Sequence, residues 1–332
     1  MKVLYAIQGT GNGHLSRART IIPLLEKKNI HLDLLVSGTQ ADINIPHPIK
    51  YRLKGLSFTF GKKGGVDMWR TYLKTNTARL QQEIKKLPVH EYDLVINDFE
   101  PVSAWACRLK NLPCIGFSHQ SAVLGKNVPK PQKRDLAGRL ILRKYAPVTK
   151  AYGLHFEAYN AHTFTPVIRH EIRNIPTGNG QHYTVYLPAY SDQRIIKILS
   201  QVKGVQWEVF SKHTSANYQT GNIHIRKINN KAFINSLVTS KGVLCGAGFE
   251  TPAEALHLGK KLLVIPMKAQ YEQQCNAAAL KEMGVPVVKS LKQKHLDTFR
   301  NWVATDTKVN VYYPDITEDI IDKILEETLV MA

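Results

Sequence analysis

The sequence predicts an α/β protein with two doubly wound units, each a parallel sheet with helices on both faces. Three observations predict this class. Strand-length apolar runs alternate with helical patterns along the chain, which is typical of parallel sheets. The pattern breaks into polar residues and prolines near residues 165–176 and then restarts. Finally, 332 residues are long for one core but comfortable for two domains of ordinary size.

The elements follow in order. The first unit starts with a buried strand, a glycine turn and a helix, at residues 2–8, 9–14 and 15–28. Its other predicted strands are 31–37, 93–97, 113–118 and 154–157. The strands of the second unit are predicted at 183–187, 206–211, 223–226, 242–245, 262–265 and 285–288. Later helices include 251–258, 272–283 and a final one at 318–329. Ligands of such sheets bind beyond the carboxyl ends of the strands, so the residues that follow each strand are the candidates.

Composition limits the class of protein. Hydrophobic residues make up 43% of the chain, enough for a core in each unit. No apolar run reaches the roughly eighteen residues of a membrane-spanning helix, and the apolar start is too short for a signal peptide. The four cysteines have neither disulfide-framework nor zinc-site spacing. We therefore expect reduced thiols in a cytoplasmic protein.

The net charge is unusual. Forty-five Lys and Arg against 26 Asp and Glu give a formal charge of +19. This field attracts anionic partners such as nucleic acid, acidic lipid headgroups or phosphorylated substrates. A basic background without a specific partner is the alternative. No nucleic-acid-binding module is visible, so we expect no nucleic-acid partner.

A glycine-rich turn at residues 9–14 joins the first strand to the first helix. Glycines let backbone amides approach a ligand, and a helix N-terminus favours negative charge. The acidic residue of a dinucleotide site is missing after the second strand, which ends Val36-Ser37-Gly38. A histidine here suits a general base at the edge of a cleft; helix capping or packing is the alternative. The candidates are His14 as base and Thr10, Gly11, Asn12 and Gly13 as cleft residues.

Two carboxylates follow the 93–97 strand, which neighbours the first strand in the predicted sheet. A carboxylate beside an imidazole orients the ring and stabilises its protonated form. The alternative for Asp98 and Glu100 is capping of the next helix, which explains one of the two. We assign Asp98 as the partner of His14. Glu100 and His119 remain cleft candidates and the next residues to test as a base.

A strand, a turn of small residues and a helix start make up residues 245–254. Amides there suit a diphosphate, and Glu254, one turn into the helix, suits two ribose hydroxyls. A polar cluster after the next strand suits sugar hydroxyls. An ordinary strand–turn–helix with a solvated first turn is the alternative. The donor-side candidates are Gly246, Ala247, Gly248, Phe249, Glu250, Thr251, Glu254, Gln270, Glu272 and Gln273.

This third cluster resembles the donor-binding signature of GT-B glycosyltransferases, a superfamily that includes the lipid II synthase of peptidoglycan assembly and the plant UDP-sugar-dependent enzymes. The matching residues are Gly248, Glu254, Gly259 and Pro266, then Glu272 and Gln273 ahead of Asn276 and Ala277. The loop with His14 is similar to the first loop of these enzymes, and Asp98 falls where the plant enzymes carry the partner of their catalytic His. The chain is most similar to a little-characterised bacterial and archaeal group that begins Gly-x-Gly-x-Gly-His-x-x-Arg.

The resemblance implies two Rossmann-like domains facing across a cleft. Residues 1–170 then bind the acceptor, residues 171–315 bind the nucleotide-sugar donor, and the last helix, about 316–330, packs back on the first domain. Glu254 would hold the ribose, and Glu272 and Gln273 the sugar. Three residues depart from the signature. Gly246 replaces a plant histidine, so diphosphate contacts must come from backbone or another side chain. Glu250 replaces an uncharged residue, and Lys261 a proline.

The expected reaction is a single displacement. His14, oriented by Asp98, takes the acceptor proton, and the nucleotide diphosphate leaves, stabilised by amides near Gly248 and by Ser191 at a helix start. Many retaining members carry a second glutamate where this chain has Gly246, so we expect inversion. We expect UDP as the carrier, no metal, since helix N-termini supply positive potential, and no cofactor, because the nucleotide-sugar is a substrate. A nucleotide-sugar 2-epimerase and a non-catalytic sugar-nucleotide-binding protein remain as alternatives.

A basic stretch spans residues 126–150. Its leucines and isoleucine at 136–142 form one apolar face, and such a segment can lie on an anionic membrane; a solvated helix face is the alternative. We expect a lipid-linked acceptor and a peripheral position on the inner face of the membrane if the stretch binds lipid. Its basic residues are Lys126, Lys130, Lys133, Arg134, Arg139, Arg143, Lys144 and Lys150.

Overall fold

The computed structural model describes residues 1–38, 45–56, 77–133, 135–178 and 180–331, without the side chains of residues 329–331. Arg134 of the basic stretch lies outside the described residues. None of the described helices is long and apolar enough to span a membrane.

Seven strands of the described residues form the first sheet, and all of their pairings are parallel. They are β1 (Lys2–Gln8), β2 (His31–Ser37), β3 (Tyr51–Leu53), β4 (Leu94–Asp98), β5 (Ile115–Ser118), β6 (Lys150–Leu154) and β7 (Thr163–Phe164). Their order is β3-β2-β1-β4-β5-β6-β7. The winding direction reverses between β1 and β4, where Ile7 pairs with Asp98. A crevice opens at such a switch point, and ligands bind there.

Six strands form the second sheet. They are β8 (His182–Tyr186), β9 (Gln206–Ser211), β10 (Tyr218–Thr220), β11 (Ile223–Lys227), β12 (Gly242–Gly246) and β13 (Lys261–Ile265). Their order is β10-β11-β9-β8-β12-β13, and only the edge pair β10–β11 is antiparallel. The reversal here lies between β8 and β12, so the segment after β12 lies at the second switch point.

Twelve α-helices are described. They are α1 (Asn12–Glu26), α2 (Thr77–Lys86), α3 (Pro101–Leu109), α4 (His119–Val123), α5 (Leu136–Tyr145), α6 (His170–Arg173), α7 (Asp192–Leu199), α8 (Asn230–Thr239), α9 (Glu250–His257), α10 (Tyr271–Glu282), α11 (Leu296–Ala304) and α12 (Thr317–Met331). Short 3₁₀ turns occur at Val89–Glu91 and Gln293–His295.

The last helix contacts the first sheet and its helix α1. Lys28, which follows α1, lies 2.7 Å from Glu318 and 2.8 Å from Asp322 of α12. Glu327 of α12 contacts Lys150 and the Tyr152 hydroxyl of β6. Three isoleucines of α12 are buried in the largest core cluster, which includes residues of both sheets: Ile320, Ile321 and Ile324. The chain end is therefore anchored on the amino-terminal half.

The predicted α/β class and the two doubly wound sheets are confirmed, while two predicted strands are wrong. The 285–288 run contributes only an isolated bridge between Val264 and Val287. Pro286 lies inside this run and has no amide to donate, so a continuous ladder cannot form. The strand predicted at 154–157 lies at Lys150–Leu154, because it ends where its parallel partner β5 ends, with Ser118 opposite Gly153.

Candidate active site

The two residues predicted as base and partner lie together. His14 is in the first turn of α1, directly after β1, and Asp98 is the last residue of the neighbouring strand β4. The Nδ1 atom of His14 lies 2.8 Å from Oδ1 of Asp98. A carboxylate can only accept, so Nδ1 donates to it, and in the neutral ring Nε2 has the lone pair. The His14 side chain is 13% exposed and lines a cleft, so this lone pair is placed to accept a proton there.

Asp98 is fully buried and ionised. Burial by itself raises the pKa of a carboxyl, but the charge of Arg17 and the contacts with His14 outweigh it, so the pKa of Asp98 lies below its ordinary value. The same Oδ1 atom accepts from Arg17 at 2.6 Å. The imidazole and the guanidinium therefore share one carboxylate oxygen.

Arg17 is a site residue that the analysis of the sequence missed. It lies one turn after His14 on α1, its side chain is 2% exposed, and its Nη2 is 3.2 Å from Nδ1 of His14. Its Nη1 contacts Glu250 at the start of α9, in the other half of the chain. The signal was present in the sequence, since an arginine three residues after a histidine falls on the same helix face.

The glycine-rich turn lines the same cleft through Thr10, Gly11, Asn12 and Gly13. Gln8 donates a 2.8 Å hydrogen bond to the Thr10 hydroxyl and fixes the turn. A Cβ added to Gly13 would lie 3.0 Å from Cγ of Glu250, whereas one added to Gly11 would meet nothing within 4 Å. The turn therefore approaches α9 most closely at Gly13.

Glu100 is a helix cap, and its assignment to the cleft is wrong. Its carboxylate accepts from the amides of Val102 and Ser103 at 2.7 and 2.6 Å and from the Ser37 hydroxyl at 2.6 Å. It is fully buried, and burial raises its pKa. The capping alternative accounts for it. Between the two acids, Phe99 has a positive φ of 57°, an uncommon conformation for a non-glycine residue, which turns Asp98 and Glu100 to different sides.

His119 lines the cleft but does not offer a free nitrogen. Its Nδ1 lies 2.8 Å from the Leu154 carbonyl and its Nε2 lies 2.7 Å from Oδ1 of Asn276 on α10. Its ring stacks on Phe249 at 4.0 Å, and burial lowers its pKa. Because both nitrogens already contact protein atoms, His119 joins the two halves of the chain and is not placed to act as a base.

The donor-side candidates fall into two groups. Gly246 and Ala247 do not line the cleft, and the carbonyl of Ala247 accepts from Asn276 at 3.1 Å. The other predicted residues line it: Gly248, Phe249, Glu250, Thr251, Glu254, Gln270, Glu272 and Gln273. Helix α9 starts without a side-chain cap, so its first amides are available to a ligand. Gln120 of α4, which the sequence analysis missed, donates to Glu272 at 3.1 Å.

Glu254 forms an ion pair with Arg169, which lies in the segment of chain that joins the two sheets. The Nε and Nη2 atoms of Arg169 lie 2.5 and 2.9 Å from the two carboxylate oxygens of Glu254, and the Glu254 side chain is 3% exposed. A carboxylate has about four acceptor positions, so two remain after the contacts with Arg169. Arg169 also lines the cleft. Ser191 precedes α7, is exposed and does not line the cleft, so the structure does not bring this predicted diphosphate contact to the site.

The cleft has a volume of about 490 Å³, and both halves of the chain line it. Part of the amino-terminal wall is apolar, and this part includes Phe99, Ile141, Leu142 and Tyr145. On the other side of the cleft lie three aromatic residues, one at the end of β8, one near the end of β9 and one in the first turn of α8: Tyr186, Phe210 and Phe233. Phe233 packs edge-on against the other two, with ring centroids 5.6 and 5.2 Å apart. Sequence patterns did not reveal these aromatic residues because they resemble ordinary core positions.

Comparison with known proteins identifies the family. A family model described as glycosyl transferase family 1 matches residues 1–304. The chain belongs to this family. It is therefore a glycosyltransferase, and its two sheets form the GT-B fold, as the resemblance of the donor signature implied. A search of curated protein sequences finds no significant match.

Solved structures agree on the fold. Acinetobacter baumannii MurG is 14% identical, with coverage of 98% of this chain and 99% of MurG and a TM-score of 0.58. Arabidopsis thaliana UGT89C1, complexed with UDP, is 12% identical, with coverage of 99% and 94% and a TM-score of 0.57. The spinosyn rhamnosyltransferase SpnG, complexed with thymidine diphosphate, is 14% identical, with coverage of 100% and 96% and a TM-score of 0.55. At these identities the likeness shows the fold of the glycosyltransferase and no more.

Proposed function

We propose that this glycosyltransferase moves a sugar from a UDP-sugar to an acceptor hydroxyl with inversion at the anomeric carbon, without metal or cofactor. Residues 1–170 bind the acceptor and residues 171–315 bind the donor. The observation that carries the proposal is the 2.8 Å contact between His14 and Asp98, at the switch point of one sheet and facing donor-side residues of the other. A binding protein has no use for an oriented base.

The chemical step is one displacement. Nε2 of His14 takes the acceptor proton while the acceptor oxygen forms a bond to the anomeric carbon. The bond from that carbon to the diphosphate oxygen breaks, and UDP leaves with the electron pair. Asp98 holds the Nδ1 proton and stabilises the imidazolium that forms. Because attack and departure occur on opposite faces of the carbon, the configuration inverts.

Donor binding uses three parts of the second half. Tyr186, Phe210 and Phe233 offer an apolar aromatic surface to the base. The free carboxylate positions of Glu254 accept from the ribose hydroxyls, and the uncapped amides of α9 face the diphosphate. Glu272 and Gln273, with Gln120 beside them, lie on the cleft wall that receives the sugar. The UDP and thymidine diphosphate complexes of UGT89C1 and SpnG support a nucleoside diphosphate carrier.

The acceptor is lipid-linked in this proposal, and α5 supports it. One side of α5 lines the cleft with Ile141 and Leu142. Its other side exposes Leu136 and Leu140 at 73% and 57%, with exposed cations at Arg139, Arg143 and Lys144. Exposed leucines ringed by cations suit an anionic membrane surface. The enzyme would then act from the cytoplasmic side, with its cleft beside the lipid.

Two measurements test the proposal: which nucleotide binds, and which anomer of the sugar is released. A thermal-shift screen with UDP, TDP and the corresponding sugars identifies the carrier, because a ligand that binds only the folded state raises Tm. Slow hydrolysis of the binding α-linked donor is then followed by NMR, with water in place of the acceptor. The β-sugar should form first. An α-sugar formed first would contradict inversion, and epimerised donor in the absence of an acceptor would favour an epimerase.

A further inference from the structure

Among the described residues, neither Gly246 nor Ser191 supplies a side-chain contact for the diphosphate in the cleft. Gly246 stands where the plant signature has a histidine, and Ser191 does not line the cleft. Among the described residues that line the cleft, the permanently charged cations are Arg17 and Arg169. Arg169 is committed to Glu254 through two hydrogen bonds. Arg17 is the cation beside the start of α9, where the uncapped amides lie.

Asp98 fixes one end of the Arg17 guanidinium, and the other end contacts Glu250. Nη2 of Arg17 donates a 2.6 Å hydrogen bond to Oδ1 of Asp98. Nη1 contacts Glu250, the first residue of α9. The Nε of Arg17 is buried and has no hydrogen-bond partner among the described residues. The guanidinium therefore stays in place if Glu250 moves, and its Nη1 and Nε then offer donors to a new anion.

We propose that Arg17 is the side chain that binds the diphosphate of the donor, and that Glu250 occupies the phosphate position in the empty enzyme. This inference rests on the proposed function. A guanidinium fork matches phosphate oxygens, and α9 adds amides at the same place. In the reaction, Arg17 stabilises the charge of the leaving UDP while its Asp98 contact keeps it beside His14. The carboxyl of Glu250 is displaced as a neutral acid.

The charges around Glu250 favour this exchange. Burial raises the pKa of Glu250 to about 7, with Arg17 lowering it and other carboxylates raising it. Among the described residues, the charged and titratable groups that interact with Glu250 lie on several elements: Tyr5 of β1, Arg17 and His14 of α1, Asp98 of β4, Glu254 of its own helix, and Arg169, which pairs with Glu254. A diphosphate beside this carboxyl makes its ionised form still less favourable. Above neutral pH, the Glu250 carboxyl should therefore take up a proton when the donor binds.

Donor affinity should fall as the pH rises above the pKa of Glu250. Below pH 7 the Glu250 carboxyl is mostly neutral and easily displaced. Above its pKa, binding must first protonate it, so affinity falls by about tenfold per pH unit. The terminal phosphate of UDP titrates near pH 6 and acts in the opposite sense. Glu250→Gln removes only the first effect, so the difference between the wild type and this variant isolates the carboxyl.

The experiment is calorimetric titration of wild type and Glu250→Gln with UDP and TDP at pH 6 and pH 8.5, in buffers of different ionisation enthalpy. Uridine and thymidine serve as phosphate-free controls. At pH 6 the two proteins should bind the diphosphate within about threefold of each other. At pH 8.5 Glu250→Gln should bind on the order of thirtyfold more tightly, and only the wild type should take up an additional proton. The nucleosides should bind both proteins equally.

A second variant tests Arg17 itself. Arg17→Gln should weaken UDP binding at pH 6 by more than tenfold with unchanged uridine binding; if it does not fold, Glu250→Gln alone decides. Equal pH dependence of UDP binding in wild type and Glu250→Gln, or weaker binding by Glu250→Gln at pH 8.5, would overturn this inference and leave the donor site intact. Failure of the wild type to bind either diphosphate would overturn the proposed function as well.

Discussion

Nδ1 of His14 and Oδ1 of Asp98 lie 2.8 Å apart although 84 residues separate them in the chain. The contact exists because β1 and β4 are neighbours at the point where the winding of the sheet reverses, so their carboxyl ends open into the same crevice. Phe99 follows at a positive φ and leads the chain away into α3. Asp98 is thereby left at the cleft and Glu100 at the helix cap.

Asp98→Asn should slow turnover by about tenfold to a hundredfold and weaken UDP binding by less, because the amide oxygen can still accept from Arg17. The amide removes the charge that stabilises the imidazolium, and it can donate to Nδ1 and so favour the wrong tautomer. Turnover number and calorimetric UDP affinity are the measurements. Glu100→Gln is the matched control, since it changes a buried acid that does not reach the cleft. A turnover loss with Glu100→Gln as large as with Asp98→Asn would contradict the assignment.

Asp98→Asn should also change how the stability of the fold depends on pH. The pKa of Asp98 lies below its unfolded value, so the carboxylate contributes stability above the unfolded pKa of about 3.9, and this contribution is lost as pH falls through the lower folded value. Thermal unfolding of wild type and Asp98→Asn should therefore differ at neutral pH and converge toward pH 2. A difference that stays constant across this range would show that the charge of Asp98 does not stabilise the fold.

Gly13→Ala should reduce turnover by about tenfold or more. Its new Cβ would lie 3.0 Å from Cγ of Glu250, so either the Glu250 side chain or the glycine-rich turn must shift by a few tenths of an ångström, and small misplacements at a reacting centre are costly. Gly11→Ala is the control, because a Cβ there meets nothing within 4 Å. Equal activity of the two variants would show that the close approach at Gly13 has no role.

Glu254→Ala should weaken binding of uridine by roughly ten- to a hundredfold, since hydrogen bonds to a charged group contribute about 1.5–3 kcal/mol. Arg169→Met breaks the same ion pair but leaves the carboxylate, so it should weaken uridine binding much less. Calorimetry measures both after thermal unfolding has verified that they fold. Unchanged uridine affinity in Glu254→Ala would exclude a ribose contact at this residue.

Replacing Arg139, Arg143 and Lys144 of α5 by Gln should weaken binding to anionic vesicles by on the order of a hundredfold, because each cation near the surface contributes about 1 kcal/mol. Cosedimentation at low and high salt is the measurement, since salt screens this attraction. The control changes three exposed lysines of the other half, Lys289, Lys292 and Lys294. Equal binding of wild type to neutral and anionic vesicles would remove the electrostatic argument.

The class of fold and half of the site could be predicted because they depend on local patterns. Alternating strands and helices predict two wound sheets, and the rule that ligands bind after strands points to His14 and Asp98. The contacts that complete the site are not local: 233 residues separate Arg17 from Glu250, and 85 separate Arg169 from Glu254.

Asp98 and Glu100 show a second limit. Both are acids between a strand and a helix, and their sequence context is the same. Only the positive φ of Phe99 sends one to the cleft and the other to the cap. Backbone geometry of this kind depends on packing, here of Phe99 against Tyr145 at 4.7 Å, which no local pattern contains.

The most direct test of the account is the turnover and donor affinity of His14→Ala. As the general base, His14 contributes to the chemical step and not to the nucleotide contacts, which lie mainly in the other half of the chain. Turnover should fall by about a hundredfold or more, while calorimetric UDP affinity stays within about threefold of wild type. Turnover at the wild-type rate would place the base elsewhere. Loss of UDP binding would make His14 a phosphate ligand and contradict the mechanism proposed here.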